Sequence, residues 1–213
     1  MRSLIVLVLA GLLAMPADAF ASRRKAAVPP EPKPAKFSTV VIDPGHGGRD
    51  HGGIPGQRVK EKQMALDVAL RLRKQLKRLG YETVVTRASD RDMSKDARVA
   101  VAAARPGAVF VSIHFNSAYR AGAKGFETYF HTAKSRGLAE HIHSHVVSTR
   151  PAVDRGVKRA GFFVLRHNPL RAVLVECGFL TNPGEAALAR KASYRDRLAR
   201  HIATGIHAYR ASL

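Results

Sequence analysis

From residue 37 onward the sequence predicts an α/β layered domain, and three observations carry that expectation. Short apolar runs rich in β-branched residues alternate with longer stretches whose apolar residues recur at helical spacing. Glycine and proline punctuate the alternation, and no internal repeat interrupts it. The first strand is expected at residues 39–42 (Thr-Val-Val-Ile). A helix follows over residues 61–79, with Ala65, Val68, Ala69, Leu72, Leu76 and Leu79 on one face and Gly80 as its stop. Residues 83–86 read as a second strand. Ser94 is placed to cap a helix carrying Val99 and Ala103, which Pro106-Gly107 ends before the buried strand 109–113. Further strands are expected at 125–130, 162–165 and 172–175. One more helix lies around Leu138, Ile142 and Val146, and a last one carries Leu198, Ile202, Ile206 and Tyr209.

The 213 residues suffice for one such domain once the N-terminus is set aside. Met1-Arg2-Ser3, an apolar stretch over residues 4–15 and Ala17-Asp18-Ala19 follow the pattern of a secretory signal, so residues 1–19 are expected to be removed. That apolar stretch is shorter than the ~20 residues that span a bilayer. Export to the periplasm or the medium follows, with no transmembrane segment in the mature chain. Residues 20–36, with Pro29-Pro30-Glu31-Pro32-Lys33-Pro34, have too few large apolar residues to pack and read as a disordered tether. Residues 37–213 are left as the functional domain, expected to be a monomer.

The only cysteine, Cys177, sits in an apolar run, which makes it a small buried hydrophobe and excludes an intrachain disulfide. The formal charge of +20 attracts polyanions. Export and the lack of an aromatic-interleaved basic motif argue against nucleic acid. Two explanations stay open, an anionic cell-envelope partner and a merely solvated basic surface.

Three reactive side chains occupy one kind of position: His46 follows the first strand, His114 the strand ending at Ile113, and Glu176 the strand ending at Val175. Ligand sites in open α/β sheets gather outside the carboxyl ends of the strands. If these strands run parallel, the three groups share a rim, to which Glu61, in the first turn of the helix entered from the His46 loop, can return. Two imidazoles and a carboxylate are the ligand set of a hydrolytic zinc site with a position left for water. A second carboxylate must then move protons between water and leaving amine, the role that fits Glu176. The glycine-rich loop from Asp43 to Gly53 lets backbone approach a metal or substrate closely. It lacks the Walker spacing of a nucleotide-phosphate loop, and no nucleophile elbow competes.

The segments Val40-Val41-Ile42-Asp43-Pro44-Gly45-His46-Gly47-Gly48, Glu61, Ser112-Ile113-His114-Phe115-Asn116 and Val175-Glu176-Cys177-Gly178-Phe179-Leu180-Thr181-Asn182 resemble the motifs of the zinc-dependent N-acetylmuramoyl-L-alanine amidases of type 3. Thr86-Arg87 with Asp90, Arg98, and Asp154-Arg155-Gly156-Val157 extend the likeness, which runs from Ser38 to the C-terminus. It implies a phosphorylase/hydrolase-like three-layer fold, a twisted mixed six-stranded sheet with helices on both faces. It implies zinc on His46, Glu61 and His114 and a catalytic Glu176. The substrate would be peptidoglycan, cut between N-acetylmuramic acid and L-alanine for wall remodelling or daughter-cell separation. A zinc peptidase acting within the stem peptide is the alternative enzyme, and a metal-free wall-binding module the alternative of another class.

Cys177 and Ala103 stand where the family often has Leu and Asn. A metal role for His51 is doubtful, and His141, His143 and His145 read as a solvated surface helix. Arg87 and Arg98 either meet substrate carboxylates or hold the fold through ion pairs. Family members under activator control carry a long insertion between the strand ending at Phe130 and Asp154, including a helix that covers the metal. Here that stretch has room for one short helix, so an open site is expected.

Overall fold

The computed structural model describes residues 35–55, 57, 59–120, 122–151 and 153–213. The expected signal segment, and the tether up to residue 34, lie outside the described residues. Six strands, β1 (Thr39–Pro44), β2 (Glu82–Val85), β3 (Val109–Asn116), β4 (Phe126–Phe130), β5 (Asp154–Arg159) and β6 (Arg171–Phe179), form one sheet in the order β2-β1-β3-β6-β4-β5. The first four in that order are parallel; β4 runs antiparallel to β6, and β5 parallel to β4. The sheet is therefore mixed.

Side chains alternate across a strand, and the two faces are covered differently. Val40, Ile42, Val109, Val111, Ile113, Val173 and Val175 join a core completed by α1 (Glu61–Arg78), α3 (Arg136–Val147) and α6 (Ala192–Ala211). Their alternates Val41, Phe110, Ala172 and Leu174 pack instead under α2 (Lys95–Ala103) and the short α4 (Phe163–Arg166). Helices on both faces give the expected three layers. α1 buries the predicted stripe of Ala65, Val68, Ala69, Leu72 and Leu76, and leaves Leu79 exposed just past its end. Ser94 caps α2, its hydroxyl accepting the Ala97 N–H at 3.1 Å. Cys177 is buried, as read.

The structure corrects three expectations. Residues 162–165 are not a strand: Phe163, Val164 and Leu165 belong to α4, and the fifth strand is Asp154–Arg159. A continuous apolar run is equally compatible with a buried strand and a buried helical turn, while β5, an edge strand of sequence DRGVKR, shows almost no hydrophobic signal. The helix α5 (Pro183–Arg190) was not expected. Asn182 caps it by accepting the N–H groups of Gly184 and Glu185, with Pro183 in its first turn, a start signal that Asn-Pro carries in the sequence. Finally, α3 is not a solvated helix. His143 is buried beside Ala139, Ile142 and Val146 and held between Thr128 Oγ1 (3.0 Å) and Asp154 Oδ1 (2.7 Å).

Candidate metal centre and active site

The site is built on the carboxyl ends of β1, β3 and β6. Asp43, near the end of β1, is fully buried. Its carboxylate accepts the Thr86 hydroxyl at 2.6 Å, Arg98 Nη1 at 2.7 Å and the Ser112 hydroxyl at 2.8 Å, tying β1 to β3 and α2. Two arginines then clamp the loop that leaves β1. Arg87 donates to the carbonyls of Pro44, Gly45 and Lys62, and Arg98 to those of Pro44 and His46. Arg98 makes the fold-holding ion pair, with Asp43, and also lines the cleft, whereas Arg87 binds carbonyls instead of a carboxylate. Lys62 Nζ fastens the same loop through Gly48 O (2.6 Å) and Asp90 (2.7 Å).

Clamping forces the backbone at His46 to φ 57°, a region a non-glycine residue enters only when its surroundings compel it. In that conformation His46 Nε2 stands 3.1 Å from Glu61 Oε1. His114 Nδ1 lies 2.9 Å from the same oxygen, which also accepts the Phe115 N–H at 3.0 Å. One potential ligand atom from each of His46, Glu61 and His114 falls within 4.8 Å of the others. The imidazole rings lie edge to face, 4.9 Å apart. A β-carbon on Gly45 would come within 2.3 Å of the His114 ring, and one on Gly52 within 2.6 Å of Glu61, so both positions require glycine.

The nitrogens facing the Glu61 oxygen can share either a proton or a cation with it, and the surroundings favour positive charge at that point. Burial alone would raise the Glu61 carboxyl, but hydrogen bonds and charge from His114 and His46 outweigh it and hold it at about 2. His46 moves the other way: burial works against its charged form, yet Glu61 and Asp50 raise it overall. Asp50, which sequence reasoning missed, sits 2.7 Å from His46 Nδ1 and leaves Nε2 turned toward Glu61. An acid four residues after His46 in a glycine loop was the available signal. His51 is exposed and lies outside the cluster.

β3 and β6 each run further than expected, so His114 and Glu176 are strand residues rather than the first residues after a strand. They are register partners, and Glu127 of β4 is the partner of Glu176 on its other side. Glu176 is buried, and its Oε2 has no hydrogen-bond partner among the described residues. Burial, reinforced by the charges of Glu61 and Glu127, pushes its carboxyl well above the ordinary range. A cleft of about 660 Å³ opens over these residues, walled by Ile54, Met93, Asn116, Phe162 and Phe163. None of the described residues between 131 and 153 lines it, and α3 packs on α6 and β4 instead.

Comparisons with known proteins agree with this geometry. The Amidase_3 family, N-acetylmuramoyl-L-alanine amidase, matches residues 40–208. The N-acetylmuramoyl-L-alanine amidase LytC of Bacillus subtilis (strain 168) is 37% identical over 180 residues, 83% of this chain and 36% of that protein. The uncharacterized protein YqiI of the same organism is 39% identical over 83% of this chain and 87% of its own length. A crystal structure of an N-acetylmuramoyl-L-alanine amidase from Clostridium difficile 630 superposes with a TM-score of 0.78 at 36% identity, covering 84% of this chain and 99% of that one. The matched family, these identities and the shared fold show that the chain belongs to the type 3 N-acetylmuramoyl-L-alanine amidase family.

Proposed function

We propose that the chain is a zinc-dependent peptidoglycan amidase that hydrolyses the bond between N-acetylmuramic acid and L-alanine. The observation that carries this reading is the convergence of His46, Glu61 and His114 within 4.8 Å beside a buried carboxylate with an unpartnered oxygen. The donor set fits zinc: two neutral imidazoles and one carboxylate satisfy a four-coordinate ion and leave a place for water. Asp50 supports it by fixing the His46 tautomer, as carboxylates behind metal-bound histidines do. Zinc bound here would acidify water and polarise the scissile carbonyl.

The chain's own residues perform the remaining steps. Glu176 takes the proton of the attacking water and passes it to the amine that departs, a task suited by a carboxyl that burial raises well above its ordinary range. Its isolation from other protein donors keeps its free oxygen available to water and substrate. Phe162, Phe163 and Ile54 line the cleft and offer the substrate apolar contact. The names of the relatives and the excess of basic residues support action at the cell envelope after export. No helix among the described residues is long and apolar enough to cross a membrane.

Digestion of purified peptidoglycan by the mature protein, with the products identified by mass, tests this reading. The expected products are intact stem peptides with a free L-alanine amine and glycan that retains its lactyl groups. Shortened peptides still joined to glycan would establish the peptidase alternative, and full activity after exhaustive chelation would rule out the metal.

A further inference from the structure

The segment Asp154-Arg155-Gly156-Val157 plays no part in the metal centre, yet the fold aims it at the same rim. Pairing of β4 with β5 steps from Phe126 opposite Asp154 to Thr128 opposite Val157, so two residues of β4 are matched by three of β5. The bulge is made by Gly156 at φ 84°. Asp154 fixes it, its Oδ1 accepting the Gly156 N–H at 2.8 Å and meeting His143 Nε2 at 2.7 Å. In a regular strand, residues three apart face opposite sides. Here Arg155 and Lys158 both reach Glu127 Oε1, at 2.8 and 2.6 Å.

Glu127 itself is buried and also accepts Asn116 Nδ2 at 2.6 Å and the Tyr129 hydroxyl at 2.8 Å. It lies opposite Glu176, which lies opposite His114. His114, Glu176, Glu127 and the two cations therefore form one row across β3, β6, β4 and β5. Adjacent strands are ~4.8 Å apart, so the point that anchors the cations is one spacing from Glu176. Asn116 links the row to the cleft, since it both lines the cleft and binds Glu127.

Arg155 and Lys158 share the single buried carboxylate of Glu127, two cations on one anion. The Arg155 and Lys158 side chains remain 36% and 42% exposed, against 3% for Glu127. Arg155 spends only Nε on Glu127, and its guanidinium lies 5.1 Å over the Phe179 ring. Among the described residues its two Nη groups have no hydrogen-bond partner, which leaves them free to take a carboxylate.

We propose that Arg155 and Lys158 form a subsite for a free carboxylate of the stem peptide, carried one or two residues beyond the amide that is cut. This rests on the amidase reading above. Two extended residues span ~7 Å, enough to bridge from Glu176 to a guanidinium anchored one strand away.

The test uses two synthetic muropeptides that differ only in whether the carboxylate of the second stem residue is free or amidated. Arg155→Gln, which can still donate to Glu127, should lower kcat/KM for the free acid roughly tenfold or more through KM, with less than about a twofold change for the amide. Arg155→Lys should recover part of the loss. Lys158→Gln, at a more exposed position, supplies a second variant if Arg155→Gln unfolds. Equal losses on both substrates, or none on either, would overturn the proposal. Calorimetric binding of the free stem peptide, as acid and as amide, to the zinc-loaded protein needs no turnover. A protein that cleaves neither muropeptide would refute the amidase reading, while this measurement would still decide the subsite: tighter binding of the acid that Arg155→Gln abolishes supports it, and equal binding of both overturns it.

Discussion

The two faces of the sheet are made by alternate residues of the same strands, yet they behave as different materials. On one face of β3, Val109, Val111, Ile113 and Phe115 are sealed by α1, α3 and α6 into an apolar core. On the other, Phe110 packs near α2 and α4, but Ser112 and His114 further along bond to carboxylates, Ser112 to Asp43 and His114 to Glu61, and His114 lies opposite Glu176. The cover on this second face is short, since α4 has only four residues, and it leaves the carboxyl rim of the strands open. Stability is thus concentrated on one side of a strand and chemistry on the other, one peptide bond away.

If that division is real, changes on the two faces should separate cleanly. The largest effect is expected from Glu176→Gln on the open face. Turnover should fall ~10²–10⁴-fold, as for a lost general base, while metal content and melting temperature hold. Steady-state kinetics beside metal analysis checks this, and near-normal turnover would assign the proton transfers to another residue. On the sealed face, Leu72→Ala removes a fully buried side chain of α1 and should cost about 2–5 kcal/mol of unfolding free energy. The surviving folded protein should keep one metal per chain and its specific activity, which denaturant unfolding and assays below the transition would show.

Asp50→Asn probes the boundary between the two kinds of surface. It keeps the shape beside His46 but weakens the partner that fixes its ring, so zinc affinity in a chelator competition should drop roughly 10–100-fold. Unchanged affinity would mean that the clamp of Arg98 on the loop orients His46 by itself. The smallest effect is expected from removing residues up to Lys36. None of the described residues of 131–153 lines the cleft, so if the site is open without an activator, the proteins with and without residues 20–36 should digest peptidoglycan at equal rates. Inactivity of both until a partner protein is added would contradict the open site.

Most of this was legible where periodicity and chemistry coincide. The stripe of α1 was readable because six apolar residues at helical spacing leave one solution, and β1, β3 and β6 because buried parallel strands are apolar throughout. His46, Glu61, His114 and Glu176 stood out because each is a reactive group at a strand end or the start of a helix. β5 was invisible: its sequence DRGVKR carries almost no apolar signature, unlike that of the other edge strand, β2, and its identity rests on pairing with β4. His143 misled because three histidines in twelve residues look like a polar surface, whereas the helical turn puts one of them inside.

By itself, then, the sequence determined the layered class, the first and last helices, the family and the four residues on which the chemistry is proposed to depend. Those properties follow from local spacing and from the kinds of side chain present. Only the tertiary structure decided that Asp50 stands behind His46, that Arg87 and Arg98 brace the loop, and that Glu127 lies in one row with Glu176 and His114. Each of these is a contact between elements far apart in the chain or a loop conformation at positive φ. They depend on strand register and backbone torsion, which are settled collectively when the sheet closes and leave no periodic trace in the residues involved.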